Sequence, residues 1–278
     1  MVSQTKGSAT LKKRLALVLV IGIVLLHIIP FFILVNVAFK SPQDTSSKWL
    51  TPFYLYFDNF VNAWQNANLG QALINSFIIT VSAIALVVFI GAIASYPLAR
   101  FPTRWNTLIY TLCISCMIVP ALTILVSLYK LMVDINGIDT YWAIVLVHVA
   151  FALPLTIFLY TGFLKTIPRE LDEAALIDGC NRFTLFIRVL LPLLKPITAT
   201  VIILVGVAIW NDYQFSVFFL QNPDIQTVPV ALSGFFSQFQ NEISWVAAGC
   251  LTSILPAVLV YVFLQRYFVK GYTDGIAK

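Results

Sequence analysis

The sequence predicts an all-α membrane protein that crosses the bilayer six times, with both termini in the cytoplasm. Three observations carry that prediction. Of the 278 residues 60% are hydrophobic and 10% are charged, and the mean hydropathy of +0.90 lies far above that of soluble chains. The apolar residues gather into six runs, each near the roughly 20 residues that a helix needs to cross a hydrocarbon core about 30 Å thick. Lys and Arg fall almost wholly into alternate connecting segments.

The runs extend from Leu15 to Phe39, Ala72 to Leu98, Asn106 to Leu128, Trp142 to Leu164, Leu190 to Ile209, and Ala247 to Phe268. The first follows Lys12, Lys13 and Arg14, which resemble the basic start of a signal peptide, but its apolar run is too long and no small-residue cleavage site follows. It is expected to be a retained anchor. With the N-terminus inside, 14 of the 17 Lys and Arg residues are cytoplasmic, and Lys40, Lys48 and Lys130 are external. Two external segments are then long enough to bind something: Lys40 to Gln71, rich in Trp, Tyr and Phe, and Tyr213 to Trp245. Pro30, Pro97, Pro120, Pro154, Pro192, Pro196 and Pro256 fall in or at the ends of runs. Kinks around a cavity and the general frequency of proline in membrane helices account for them equally.

Several function classes are excluded. A net charge of +5 and a pI near 9.0 come from basic residues scattered between apolar blocks, so they read as topology signals and not as a nucleic-acid patch. The four cysteines, Cys113, Cys116, Cys180 and Cys250, lie in or beside apolar runs and form no secreted disulfide framework. CISC at 113 to 116 has redox spacing but sits mid-span, where packing is the better reading. There is no GxxxxGK[ST] phosphate loop, no cluster with metal-ligand spacing, and no convincing Ser-His-Asp set from two histidines in separate runs. No catalytic residue is expected, and the whole of 1–278 reads as one membrane domain without repeats.

The exception to this apolar character is ELDEAALIDG at 170 to 179. Pro168 suits a first helical turn, Glu170, Asp172 and Glu173 complement the positive end of a helix dipole, and Gly179 suits a left-handed cap. The pattern predicts a cytoplasmic helix over about 168–179. Leu171, Ala174, Ala175 and Asp178 recur at i, i+3, i+4 and i+7, so the expected docking face is centred on two alanines and admits a close neighbour. Its acids would be repelled by anionic lipid.

PRELDEAALIDGCNRFTLFIRVLLPLLKP, from Pro168 to Pro196, resembles the EAA loop of binding-protein-dependent ABC importer permeases: Glu-Ala-Ala, three residues, Gly, then a spaced Leu-Pro. INSFIIT at 74 to 80, WNDYQF at 210 to 215, TVPVALSGFF at 227 to 236 and QRYFVKGYTDGIAK at 265 to 278 are similar to segments of the carbohydrate-uptake branch, in particular the second permease of maltose-type transporters. The resemblance runs from about Asn75 to the end and is weaker over the first span and first external loop. It implies the type I ABC importer permease fold, six transmembrane helices with a cytoplasmic coupling helix seated in an ATPase subunit. The motif carries over to Glu173, Ala174, Ala175, Asp178 and Gly179, with Glu170 in the same loop; Cys180 replaces the small residue usual after the glycine. It implies a second ATPase contact through the C-terminal tail at Tyr272, Thr273, Asp274 and Gly275. It also implies partners: a second homologous permease, two ATPases that bind ATP and Mg while this chain binds no cofactor, and an extracytoplasmic solute-binding protein facing 213–245. The expected location is a bacterial or archaeal cytoplasmic (inner) membrane. The expected cargo is a sugar or oligosaccharide, with glycerol phosphate or a polyol as the alternative. An ion-coupled secondary transporter is the rival class, and it lacks the inverted repeats and paired intramembrane charges it would need.

Polar residues inside apolar runs are the remaining candidates. His148 reads either as cavity lining or as a neutral histidine bonded to a neighbouring helix; His27, on the first run, is the weaker case. Trp210, Asn211, Asp212 and Tyr213 together offer the stacking and hydrogen-bonding chemistry that holds a sugar. An interfacial aromatic belt with a helix-terminating polar pair is the alternative.

Overall fold

The computed structural model describes residues 4–237 and 243–276, with side chains described over 13–235 and 243–263. In chain order the helices are α1 (Gln4–Ala38), α2 (Asp58–Asn66), α3 (Leu69–Arg100), α4 (Arg104–Ser115), α5 (Leu125–Asp134), α6 (Tyr141–Thr166), α7 (Glu170–Ile177), α8 (Arg182–Leu185), α9 (Leu191–Leu193), α10 (Lys195–Trp210), α11 (Ser216–Phe219), α12 (Val228–Ser237) and α13 (Ile243–Ile276). Among the described residues four stretches are long and apolar enough to cross a membrane: Lys13–Ala38, Leu69–Arg100, Tyr141–Thr166 and Ile243–Phe263. Two bent pairs, Arg104–Ile118 with Ala121–Asp134 and Arg182–Leu193 with Lys195–Trp210, bring the crossings to six if each is one span.

The bends separate the prolines into two groups. Pro30, Pro97, Pro154 and Pro256 lie inside unbroken helices. Pro120 does not: Val119 before it is extended, as the clash with a proline ring demands, and the chain turns by 93° there. The third expected span is therefore a corner. Around Pro192 and Pro196 a π-turn at Phe186–Leu190 and the junction at Leu194 turn the chain by 69°. The straight part of the fifth span is only the 16 residues of α10, about 24 Å long.

The chain divides into two compact units, one of Met1–Ala67 with Leu232–Thr252 and one of Asn68–Ala231 with Ser253–Lys278. In the first, α1 is exposed along its apolar length and becomes buried only at Asn36, Val37 and Ala38. Asn59 of α2, fully buried, donates to Ala38 O at 2.8 Å and Lys40 O at 2.7 Å, which satisfies carbonyls left open where α1 ends. The buried ammonium of Lys40 donates to Ser46 O and Ser47 O. Asp44 accepts from Ser46 N at 2.8 Å and from the Tyr54 hydroxyl at 2.6 Å. The loop expected to be external is thus folded on its own hydrogen bonds.

The second unit is built on α3, α6 and α10. Ile79, Ala83 and Val87 of α3, Ile144, Tyr160 and Leu164 of α6, and Val201, Val205 and Ile209 of α10 share one core. Small residues let the backbones approach: a Cβ on Gly91 would stand 2.4 Å from Thr156 Cγ2, and one on Gly206 would stand 2.8 Å from Ile84 Cδ1. Tyr160 donates to Thr198 Oγ1 at 2.8 Å, joining α6 to α10.

Candidate coupling site and pathway residues

The charged stretch folds as the short helix α7. Its first turn holds Glu170, Asp172 and Glu173. Its end is a Schellman cap: Gly179, at φ +84°, sends its N–H to Leu176 O at 3.1 Å, and Cys180 N donates to Ala175 O at 3.0 Å. The expected helix, about 168–179, is two residues longer at each end: Pro168 and Arg169 precede α7, and Asp178 and Gly179 form its cap.

The face expected to be outward is divided. Ala174 is exposed, but Ala175 is buried at 7% and belongs to the core of the second unit. Adjacent residues on a helix point about 100° apart, so one alanine faces out and the next faces in. The outer surface is formed by Glu170, Glu173, Ala174, Ile177 and Asp178. Ile177 is its apolar centre at 86% exposure, with Phe183 at 73% and Leu176 at 47% close along the chain.

Asp172 turns inward with Ala175. Arg100, at the end of α3, meets its carboxylate at two points: Nη2 donates to Oδ1 at 3.0 Å, and Nε lies 2.8 Å from Oδ2. The same guanidinium donates through Nη1 to Ile167 O at 3.0 Å. Both side chains are shielded, at 5% and 16% exposure, and planar Arg is the cation suited to such a fork. Around the joint, Arg182 stacks on Phe101 at 4.7 Å, and Tyr96 packs against Phe101 and Phe186. Sequence reasoning missed this tether because it assigned Asp172 only to the helix dipole and Arg100 only to topology. The shared i, i+3 face of Asp172 and Ala175 was the available signal.

The pathway candidates are mostly occupied by structural contacts. Trp210 donates its indole N–H to Ser253 O at 3.2 Å. Asn211 donates back to Val207 O. Asp212 accepts from Phe215 N, Ser216 N and the Ser216 hydroxyl, fixing the turn into α11. His148, 6% exposed, brings Nε2 to 3.8 Å from Asp212 Oδ2 and its ring edge-on to Phe215. Tyr213 is exposed at 46%, and Asn211 is exposed beside it. Asn211 and Asp212 thus make the bonds of a helix-terminating polar pair, and Trp210 makes one to the last helix. An apolar groove of about 540 Å³ between α3, α10 and α13, lined among others by Phe77, Ile84, Trp210 and Val260, suits hydrocarbon and not carbohydrate. Tyr272, Thr273, Asp274 and Gly275 lie outside the described side chains.

The family model of the binding-protein-dependent transport system inner membrane component matches residues 87–274, from mid-α3 through α7 into the end of α13. The chain belongs to this family. The permease is 43% identical over 274 residues to the melibiose/raffinose/stachyose import permease protein MelC of Bacillus subtilis (strain 168), covering 98% of this chain and 99% of that one. That similarity extends over the first span and first loop, where the resemblance read from motifs was weak. The permease is 34% identical over 261 residues to AmyC of Thermoanaerobacterium thermosulfurigenes, a probable starch degradation products transport permease, with 93% and 95% covered. Its fold matches a chain of a bacterial ABC transporter involved in import of the polysaccharide alginate, with a TM-score of 0.81, 20% identity, and 94% and 98% covered. The fold is thus that of an ABC importer permease: a multi-pass transport component, not itself an enzyme.

Proposed function

We propose that this permease lines the translocation pathway of an ATP-driven importer together with a second, homologous permease, and that α7 is its coupling helix. One observation carries the reading: a capped helix held from behind by Arg100 presents exposed apolar residues, Ile177 with Leu176 and Leu171, amid carboxylates. A soluble partner with an apolar, basic-rimmed cleft fits that surface, and lipid does not. The partner is an ATPase subunit, two per transporter, which binds the ATP and Mg; its closure on ATP displaces α7 and reorients the spans. Both termini are cytoplasmic, on the strength of the 14-to-3 bias of basic residues, and Tyr272–Gly275 adds a second ATPase contact. A solute-binding protein delivers the cargo on the other side, against 213–245. The cargo is an oligosaccharide of the melibiose, raffinose and stachyose kind, from the similarity to MelC.

The test is purification and reconstitution. Tagged permease should bring down the second permease and an ATPase, and vesicles holding that complex should take up labelled raffinose when binding protein and ATP are supplied. Uptake by this chain alone, or uptake of glycerol phosphate in place of the oligosaccharide, would refute the mechanism or the cargo respectively.

A further inference from the structure

Helices α3 and α6 are fastened together along their length. Near one end the Tyr141 hydroxyl donates to Asn75 Oδ1 at 2.7 Å. Midway, Gly91 admits Thr156 and Ser95 Oγ lies 3.4 Å from Ile157 O. At the other end Arg100 reaches the Ile167 carbonyl just past α6. Each end also carries a segment that belongs to neither helix. Arg100 holds α7 through Asp172. Asn75 donates both Nδ2 hydrogens to the carbonyls of Asp224 and Gln226, at 2.9 Å each, and the neighbouring Ser76 hydroxyl accepts Val228 N at 2.9 Å.

The amide of Asn75 is fully buried and completely used: two donors to backbone, and one oxygen that accepts from both Gln71 and Tyr141. An apolar residue would cross the membrane at lower cost than this amide or the Arg100 guanidinium. What both gain is a fixed position for a non-spanning segment. The two residues stand 25 positions apart on one unbroken helix, a separation of about 38 Å.

We infer that Asn75 and Arg100 are paired positioning residues on a single strut, so that the segment 222–228 and the α7 helix keep a constant separation and displacement of one is delivered to the other. The inference rests on α7 being the ATPase seat and 222–228 lying on the binding-protein side. It assigns to INSFIIT and to Asp172 a function that neither has as a spanning or docking residue.

The experiment uses the complete transporter in proteoliposomes, with Cys113, Cys116, Cys180 and Cys250 replaced and spin labels placed at Arg169→Cys and Asp224→Cys. One narrow distance, unchanged between the resting and ATP-trapped complexes, is expected. A change between states of a helical turn or more, about 5 Å, overturns the strut. In the unlabelled transporter, Asn75→Ala and Arg100→Ala should each lower stimulation of ATP hydrolysis by loaded binding protein about tenfold while the ATPase still co-purifies. Ser76→Ala, which removes one bond only, should lower it partially, and Arg100→Asp with Asp172→Arg should recover part of the loss. Wild-type stimulation in both alanine variants overturns the inference. Failure of the wild-type permease to retain an ATPase overturns the assignment of α7 instead.

Discussion

Ala174 and Ala175 are neighbours in the chain with opposite environments, and the difference is testable. Ala174→Arg puts a long cation on the open face of α7; it should leave thermal unfolding of the purified permease unchanged while abolishing ATPase co-purification and oligosaccharide uptake. Ala175→Arg forces a charge into the core and should destabilise the fold by about 3 kcal/mol or more, read as early unfolding before any partner is added. Equal effects of the two in the unfolding assay would contradict the division of faces. Asp44 makes a different case. Hydrogen bonds from Ser46 and then from the Tyr54 hydroxyl lower its carboxyl from 3.8 to about 2. Because the folded value lies below the unfolded one, the loop gains from the ionised form above about pH 4 and loses that gain as pH falls toward 2. Amide exchange over 41–56 should therefore accelerate below pH 4, and Asp44→Asn should remove that dependence. The same bond raises the Tyr54 phenol above its usual range.

Among the elements, α7 and the α3–α6 pair each depend on a glycine. Gly179 at φ +84° is in the region that costs other residues about 1–2 kcal/mol, so Gly179→Ala should loosen the cap and speed exchange at the Cys180 amide without affecting the spans. Gly91→Leu would drive a side chain into Thr156 and should lower the unfolding free energy of the α3–α6 pair by about 1–3 kcal/mol, measured as a shift in thermal unfolding in detergent. The elements also show what a hydropathy pattern senses. It registers a 20-residue apolar run and places α1, α3, α6 and α13 closely. It does not register direction, so the corner at Pro120 and the junction at Leu194 pass for straight spans. Neither bend changes the apolar count; only the missing proline N–H and the extended residue before it mark the first.

Over the whole molecule, the family was legible from EAALIDG because that stretch breaks the composition of everything around it. The tether behind it was not, since Arg100 and Asp172 are 72 residues apart and each has a sufficient local explanation. Trp210–Tyr213 has chemistry that fits a sugar; what the sequence hides there is one long-range bond, from the Trp210 indole to Ser253 O, beside the local bonds of Asn211 to Val207 and of Asp212 to Ser216. Uptake should accordingly survive Trp210→Phe, apart from a modest loss of stability from the missing indole bond, about 1 kcal/mol; a change of cargo preference in that variant would return the residue to the pathway. One further consequence follows from the length of α7. Eight residues are too few to hold helical shape in water unaided, so α7 relies together on its cap at Gly179, on Ala175 in the core and on Asp172 held by Arg100, which the Ile167 carbonyl fixes in turn. On the function proposed for α7, the surface offered to an ATPase is complete only once α3 and α6 have met, which would order assembly with the spans first and the motor second.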